Sequence, residues 1–478
     1  MEVVDMTRSI LILGGGLTGL TAAHLFARQG DRVRLIEADD RIGGLAKTVE
    51  SNGCLFDLGP HEFCTTNRQL VELLRSLLGD RLLLREKRAC QFYRGKNLTY
   101  PFTPGDILRL GIPFTAQVCL ETITARLKSL YWETHDYSFE KWVTRRFGRT
   151  LYRSYFGPYT RKVWGIDPDT LDARTASDRI AFNSIFDLAL KTFDYYVLGR
   201  DDFSSIHSPL KHSFYYVEKG IGSLGLALAA EAIRYGAEIR TGSPARHVEI
   251  ENDRAIAVTL EGGERIGDFD TLISTLPLPD LLGALRISLL PTGIRYRAMV
   301  FVFLAVPRAS LTSHHWIYYP DPAIVFQRLS DFSHFNAGMT PEGVTGLCLE
   351  ISCFMSDETW NLSDDEILRR CRRDLASVGV LSEEAAARAR VMRLPHIYPL
   401  QVVGYIEKVR EMLAELAHYP NIVSIGRQGL YKYCNMNECM EIAIDAVEQI
   451  SSGNKPFLHR IEPRWRGAGF KQDHPAND

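Results

Sequence analysis

An α/β fold of the doubly wound, Rossmann-like type, joined to a helical insertion and a β-sheet domain, is what this sequence predicts. Three observations lead there. The front of the chain reads strand, glycine turn, helix, strand; residues 64–212 read mostly as helices with polar faces; and residues 291–405 are β-rich. A length of 478 residues allows two or three folding units.

The first strand is the apolar run "SILIL", which stops at glycines. "LTGLTAAHLFARQG" follows as a helix closed by Gly30, and "RVRLIEA" is a second apolar strand. Gly14, Gly16 and Gly19 stand in the G-x-G-x-x-G pattern. Gly14 makes the turn, Gly16 lets a pyrophosphate approach the backbone, and Gly19 packs the helix on the sheet. The helix start faces the phosphates, and Glu37 ends the second strand where an acid meets ribose hydroxyls. The alternative is a tight turn in an unrelated parallel sheet. "DDRIGGLAKT" comes next, with Arg41 before Gly43 and Gly44; these glycines belong to the cofactor loop or form a surface turn. In "CLFDLGPHEF" an apolar strand runs into Gly59, Pro60 and His61. Glycine and proline let backbone approach a flat ring, so His61 sits beside a cofactor ring or is a satisfied histidine at a strand end.

The middle contains "NRQLVELLRSLLG" and "SFEKWVTRRFGRTLYRSYFGPYTRKVW" as helices, with "CQFYRGKNLTYPF" as a hairpin centred on Gly95. "GDILRLGIPFTAQVCLETITARLKSLYW" is apolar enough for membrane contact, but Gly111, Pro113 and its charges favour a packed helical pair. "YFGPYTRKVWGIDPDTL" gathers Tyr155, Tyr159, Arg161, Lys162 and Trp164. Such a set suits a flat ring with an anionic or hydroxyl-rich ligand, or an amphipathic helix end with Trp164 in the core.

In the back half Gly220 and Gly222 precede a helix, "AEIRTGSPARHVEIE" is two strands, and "DTLISTLPLPDLL" is a strand breaking at Pro277. "RYRAMVFVFLAV", "HWIYYP" and "GLCLEISCFM" are strands, and "DDEILRRCRRDLASVG" is a helix crossing them. His314 and His315 lack a third ligand at a useful spacing, and there is no H-E-x-x-H, C-x-x-C or G-x-S-x-G, so no metal is expected.

Hydrophobic residues make up 45% and charged residues 24%, an ordinary globular balance. A net charge of −2 gives no reason to expect nucleic acid or an anionic membrane as partner. Nine cysteines follow no regular framework and no leader-like segment precedes Ser9, which fits a reduced, cytoplasmic setting without an integral membrane segment.

The glycine pair just past the ribose acid resembles the flavoprotein family that includes amine oxidases and protoporphyrinogen oxidase, whose members bind FAD through this longer signature. "YTRKVWG", "GPHEF", "YRAMVFV" and "YPL" further resemble stretches of UDP-galactopyranose mutases. The resemblance implies an FAD domain of the glutathione reductase type assembled from residues 1–63, 213–290 and 420–452. A mainly helical insertion at 64–212, a β-sheet substrate domain at 291–419 and a tail at 453–478 complete the chain. It implies that Arg297 lies near flavin and substrate, that the Tyr398 hydroxyl meets substrate phosphates, and that the backbone of Val248 meets the adenine. After the "YTRKVWG" helix the chain keeps Arg174 and Arg179 without the mutases' pattern, which leaves UDP-galactopyranose itself a poor expectation.

The expected FAD contacts are Gly14, Gly16, Leu17, Thr18, Gly19, Glu37, Ala38, Arg41, Gly43, Gly44, Leu45, Gly59, Pro60, His61, Val248, Gly426, Arg427, Asn435, Met436 and Asn437. The expected substrate contacts are Tyr159, Arg161, Lys162, Trp164, Arg297, Tyr398 and Tyr405, with His61, Arg297 and Tyr398 in the catalytic set and His61 the first candidate base. The leading activity is hydride transfer between flavin N5 and a small polar substrate, glycosylated or phosphate-bearing. The alternatives are a flavin-dependent sugar mutase without net redox and a non-catalytic flavoprotein; porphyrinogen oxidation is the weaker expectation.

Near the end, "GRQGLYKYCNMNECMEIAI" carries two cysteines five positions apart. Asn435 with Glu438 reads as a capping box, and Met436, Met440, Ala443, Ile444, Val447 and Ile450 form a helical stripe. The resemblance makes this segment the last wall of the FAD site, and Cys434 and Cys439 bystanders, neither a metal clamp nor a disulfide.

Overall fold

The computed structural model describes residues 7–453 apart from 101–102, 130–137, 178–179, 181–212, 289–290 and 292. Arg179, most of the segment that follows the "YTRKVWG" helix and all of the expected tail but Gly453 lie outside the described residues.

Five parallel strands form the central sheet, in the order Ile422–Ser424, Thr271–Ser274, Ser9–Leu13, Arg32–Ile36, Glu238–Arg240. The middle strand is apolar throughout because both faces are covered: Ile10, Leu11, Ile12 and Leu13 are at most 1% exposed. Helices Leu17–Arg28, Gly222–Arg234 and Met436–Ser451 cover one face, where Ile10 and Ile12 meet Leu20, Leu224 and Met440. The other face carries an antiparallel sheet (Ala245–Glu251, Arg254–Leu260, Arg265–Gly267) and helices Leu278–Ala284 and Tyr405–Ala417. The two strands read in "AEIRTGSPARHVEIE" therefore belong to different sheets, one parallel and one antiparallel.

A second sheet has seven strands, in the order Arg388–Pro399, Tyr296–Val306, Thr345–Cys353, Arg328–Asp331, Trp316–Tyr318, Ala89–Tyr93, Lys96–Thr99. Its last two strands are the expected hairpin, turning at Arg94 and Gly95 with φ of 50° and 72°. The insertion is thus not self-contained: its hairpin extends the sheet of the later segment through the parallel pairing of Ala89–Tyr93 with Trp316–Tyr318. Helix Asp364–Ser377, capped by Ser363, lays Ile367, Cys371 and Leu375 on this sheet's outer face.

Within the insertion, helix Ile112–Ser129 buries Val118 and Thr122, packs along helix Phe139–Leu151, and leaves Leu120, Ile123 and Leu127 exposed. No helix among the described residues is long and apolar enough to cross a membrane.

Candidate functional site

The loop 14–19 leaves the middle strand of the parallel sheet with Gly14 at φ 104°. A Cβ on Gly14 would lie 2.1 Å from Thr275 Oγ1, and one on Gly19 would lie 2.0 Å from Gly14 O. Neither position accepts a side chain, so the turn and the helix packing both require glycine. Gly43 donates its N–H to Gly15 O at 2.7 Å, and a Cβ on Gly44 would come within 3.0 Å of Gly16 Cα. The two glycine motifs therefore form one cradle, and the reading of Gly43 and Gly44 as an isolated surface turn falls. Glu37 accepts from Gly15 N at 2.5 Å and from Asp39 N at 2.8 Å, which fixes its carboxylate at the strand end. Leu17 and Thr18 are buried at the helix start, Leu45 packs on the core, and Ala38 and Arg41 are exposed beside Glu37. Val248 is buried against Leu11, Leu13 and Ile36 below the same edge.

The other end of the site starts at Gly59, with φ 90°, whose Cβ would lie 2.8 Å from Glu350 Oε1. Gly59, Pro60 and His61 thus lean on a carboxylate that grips Arg328 through two bonds of 2.6 Å. Burial, and then the charges of Arg328 and Arg427, push the His61 imidazole down to about 3. Its Nδ1 is buried without a partner. A ring so hard to protonate is a neutral hydrogen-bonding group and a weak base near neutral pH.

Arg427 donates from Nη1 to Cys434 O at 2.9 Å and from Nη2 to Ile397 O at 3.0 Å, while its Nε is buried without a partner. Its guanidinium lies 5.1 Å from the Tyr398 ring centre and 4.6 Å from that of Tyr433. The Tyr398 ring in turn lies tilted beside that of Trp164, centre to centre 5.8 Å. Arg297 is 1% exposed, donates Nε to Val163 O at 3.1 Å, lies over Phe354 at 4.1 Å and keeps a buried Nη1 without a hydrogen bond, 3.8 Å from the Asp357 carboxylate. The structure therefore brings together His61, Trp164, Arg297, Tyr398 and Arg427, with Tyr159 near Tyr318 at the end of an inner strand of the seven-stranded sheet.

Three expected substrate contacts lie elsewhere. Lys162 donates to the carbonyl oxygens of Tyr319, Asp321 and Phe326 at 2.7–2.8 Å, which uses all three ammonium protons to fasten a loop. Arg161 is exposed and pairs with Asp167 at 3.4 Å. Tyr405 is buried near Tyr431, in the cluster beneath the far face of the parallel sheet. Much of "YTRKVWG" is thus structural: Lys162 clamps, Trp164 packs, and Gly165 makes room for Arg297, since a Cβ there would sit 2.4 Å from Nη1.

Sequence reading missed Arg328 and Glu350. They face each other in register across two strands, 22 residues apart. Glu350 was the visible signal, as the single acid inside the apolar strand "TGLCLEISC". Lys87, paired with Glu62 and lying 5.4 Å from the Trp316 ring centre, was missed as well.

At the last wall, Asn435 N donates to Glu438 Oε2 at 2.8 Å, the backbone half of the expected capping box. Met436, Met440, Ala443 and Val447 are buried as the stripe predicted, and Asn437 is buried at the helix start. Gly426, at φ 83°, would place a Cβ 2.8 Å from Thr18 Oγ1, so this segment closes on the glycine cradle. The described residues contain no cluster of metal ligands.

The cradle has the form of a dinucleotide-binding loop, and the chain as a whole is similar to known flavoproteins. The family of flavin containing amine oxidoreductases matches residues 17–394. Coproporphyrinogen III oxidase of Bacillus subtilis is 22% identical over 459 residues, covering 88% of this chain and 94% of its own. The chloroplastic protoporphyrinogen oxidase of Nicotiana tabacum is 27% identical over 175 residues, and the match spans only 31% of that protein. A crystal structure of reduced UDP-galactopyranose mutase superimposes with a TM-score of 0.78 at 22% identity, covering 93% of this chain and 96% of the other. The cofactor is FAD, as the resemblance implied. With most of its length matched, this chain belongs to the flavin-containing amine oxidoreductase family.

Proposed function

We propose that this flavoprotein transfers a hydride between flavin N5 and a small polar substrate that carries an anionic group, such as a phosphate or a carboxylate. The observation that carries the reading is the chain of cations and aromatic rings: Arg427 bears on His61 and lies beside Tyr398, Tyr398 lies near Trp164, and Arg297 stands opposite Tyr398 across two paired strands, where an apolar substrate would call for an aliphatic cage. Bound FAD supplies a two-electron hydride acceptor or donor.

The chain's own residues do the positioning. The N–H groups of the loop 14–19 and the helix start behind it would hold the pyrophosphate, and Glu37 the ribose. Gly59 and Pro60 present backbone to the ring, with His61 as a neutral hydrogen-bonding neighbour. Arg427, already tied to two carbonyls, offers its buried Nε. Arg297 offers Nη1, and a bidentate or charge-assisted bond to a substrate anion would fix the reacting carbon.

An anaerobic titration tests this. A polar anionic substrate, drawn from sugar nucleotides and porphyrinogen carboxylates, should bleach the oxidised flavin band stoichiometrically. If none bleaches it while the flavin is still reduced by dithionite, net hydride transfer from these classes is refuted. A second reading, a sugar mutase without net redox, is favoured by the likeness to the mutase over nearly the whole chain. It requires activity only after dithionite reduction and a product of unchanged mass.

A further inference from the structure

The two cysteines of the last wall stand side by side. Cys434 precedes the helix Met436–Ser451 and Cys439 lies in its first turns; both are free thiols, with Sγ atoms 3.5 Å apart. A disulfide requires ~2.05 Å, so the sulfurs need approach by only ~1.5 Å, within the reach of small torsions in two short side chains.

The two thiols are not equivalent. Cys434 is 1% exposed, whereas Cys439 is partly exposed. The two thiols share an S–H···S hydrogen bond in which either sulfur can donate. That bond, with burial, raises the Cys434 thiol well above its ordinary value; it lowers Cys439 against the opposing effect of burial, and the charge of Arg427 and the Thr18 hydroxyl lower Cys439 further. The helix start adds a partial positive charge that favours a thiolate. A partly exposed, more acidic sulfur backed by a buried, more basic one is the asymmetry of an attacking and a resolving cysteine.

We propose that Cys434 and Cys439 form a redox-active dithiol that takes a low-molecular-weight disulfide as oxidant, with Cys439 attacking and Cys434 resolving. In the first step the Cys439 thiolate bonds to one sulfur of the external disulfide. The external S–S bond breaks, and the departing thiolate takes up the proton that Cys439 released. In the second step Cys434 loses its proton and bonds to Cys439 Sγ; the mixed disulfide breaks and a second external thiol leaves with that proton. Two electrons and two protons pass from the protein to the external disulfide, which becomes two thiols, and the chain gains one disulfide. The couple stands between the glycine cradle, through Thr18, and the rim, through Arg427, which donates to Cys434 O.

The test incubates the FAD-loaded protein, and the same protein stripped of FAD, with glutathione disulfide. The samples are then acid-quenched, alkylated and mapped by peptide mass. In at least the stripped form, the peptide holding both cysteines should lose two hydrogens and both alkylatable thiols, and dithiothreitol should restore them. Early quenching should find the transient glutathione adduct on Cys439 and not on Cys434. Cys434→Ser should trap that adduct on Cys439, and Cys439→Ser should leave Cys434 unmodified. The exposed Cys119 reports that the reagent is active. Thiols at 434 and 439 that stay alkylatable in both forms after Cys119 has reacted overturn the proposal, as does an adduct found first on Cys434. The wild-type adduct map decides even if a serine variant fails to retain FAD.

Discussion

Replacing Gly165 by alanine tests whether the segment from Tyr159 to Gly165 exists to seat Arg297. Gly165 ends the helix Gly157–Trp164 at φ 69°, and a Cβ there would lie 2.4 Å from Arg297 Nη1 and 2.8 Å from Cζ. Two costs follow. The left-handed backbone costs a non-glycine residue ~1–2 kcal/mol. The buried guanidinium must also move off Val163 O, and a buried charged group that loses a hydrogen bond costs ~1–3 kcal/mol. The sum of ~2–5 kcal/mol corresponds, at ~2 °C per kcal/mol for a large chain, to a Tm lowered by ~4–10 °C. The assay is thermal unfolding of the FAD-loaded protein followed by flavin fluorescence. Gly165→Asn tolerates the left-handed backbone better and keeps the clash, so it should retain most of the loss. Combining Gly165→Ala with Arg297→Ala removes the clash, and the pair should lose less than the sum of the singles. A Gly165→Ala protein that melts with the wild type, or a strictly additive double variant, would refute the reasoning.

Three other expectations follow from the same geometry. Lys162→Met should lower Tm by several degrees by leaving three carbonyls without their shared donor, with substrate KM unchanged at a permissive temperature; a changed KM at unchanged Tm would restore the ligand role. Glu350→Gln should destabilise the chain by ~3–5 kcal/mol by leaving the Arg328 guanidinium uncompensated, read as the urea midpoint; an unchanged midpoint would show the pair to be energetically idle. His315 is 2% exposed, and burial first, then the charges of Arg88 and His334, press its imidazole down to about 3. The fold contains it neutral while the unfolded chain protonates below ~6.5, so its contribution is present above that pH and is lost as pH falls toward 3. It should cost up to ~2 kcal/mol between pH 6.5 and 5, and His315→Gln should flatten that slope in urea titrations; an equal slope in the variant would contradict the assignment.

What was legible in the sequence was whatever local spacing encodes. The cradle is written in glycines whose positions admit no Cβ, and the C-terminal helix in a four-residue cap and a buried stripe. What was not legible depends on distant partners. Lys162 beside tyrosines looked like a ligand patch because the three carbonyls that consume its protons lie more than 150 residues away. Tyr405 looked like a rim tyrosine, yet its helix packs on the far face of the parallel sheet. Arg328 and Glu350 form a unit only once two antiparallel strands come into register. His61 was placed by its motif, but its weak basicity comes from burial first and then from the charges of Arg328 and Arg427, which no local pattern brings near it.

The most direct measurement is a crystal structure of the protein with FAD bound. The account predicts the pyrophosphate on the loop 14–19, the isoalloxazine against Gly59, Pro60 and His61, and Arg427 and Tyr398 within contact distance of the ring or of a ligand stacked on it. An isoalloxazine lodged away from residues 59–61, with Arg297, Tyr398 and Arg427 touching neither cofactor nor substrate analogue, would contradict it.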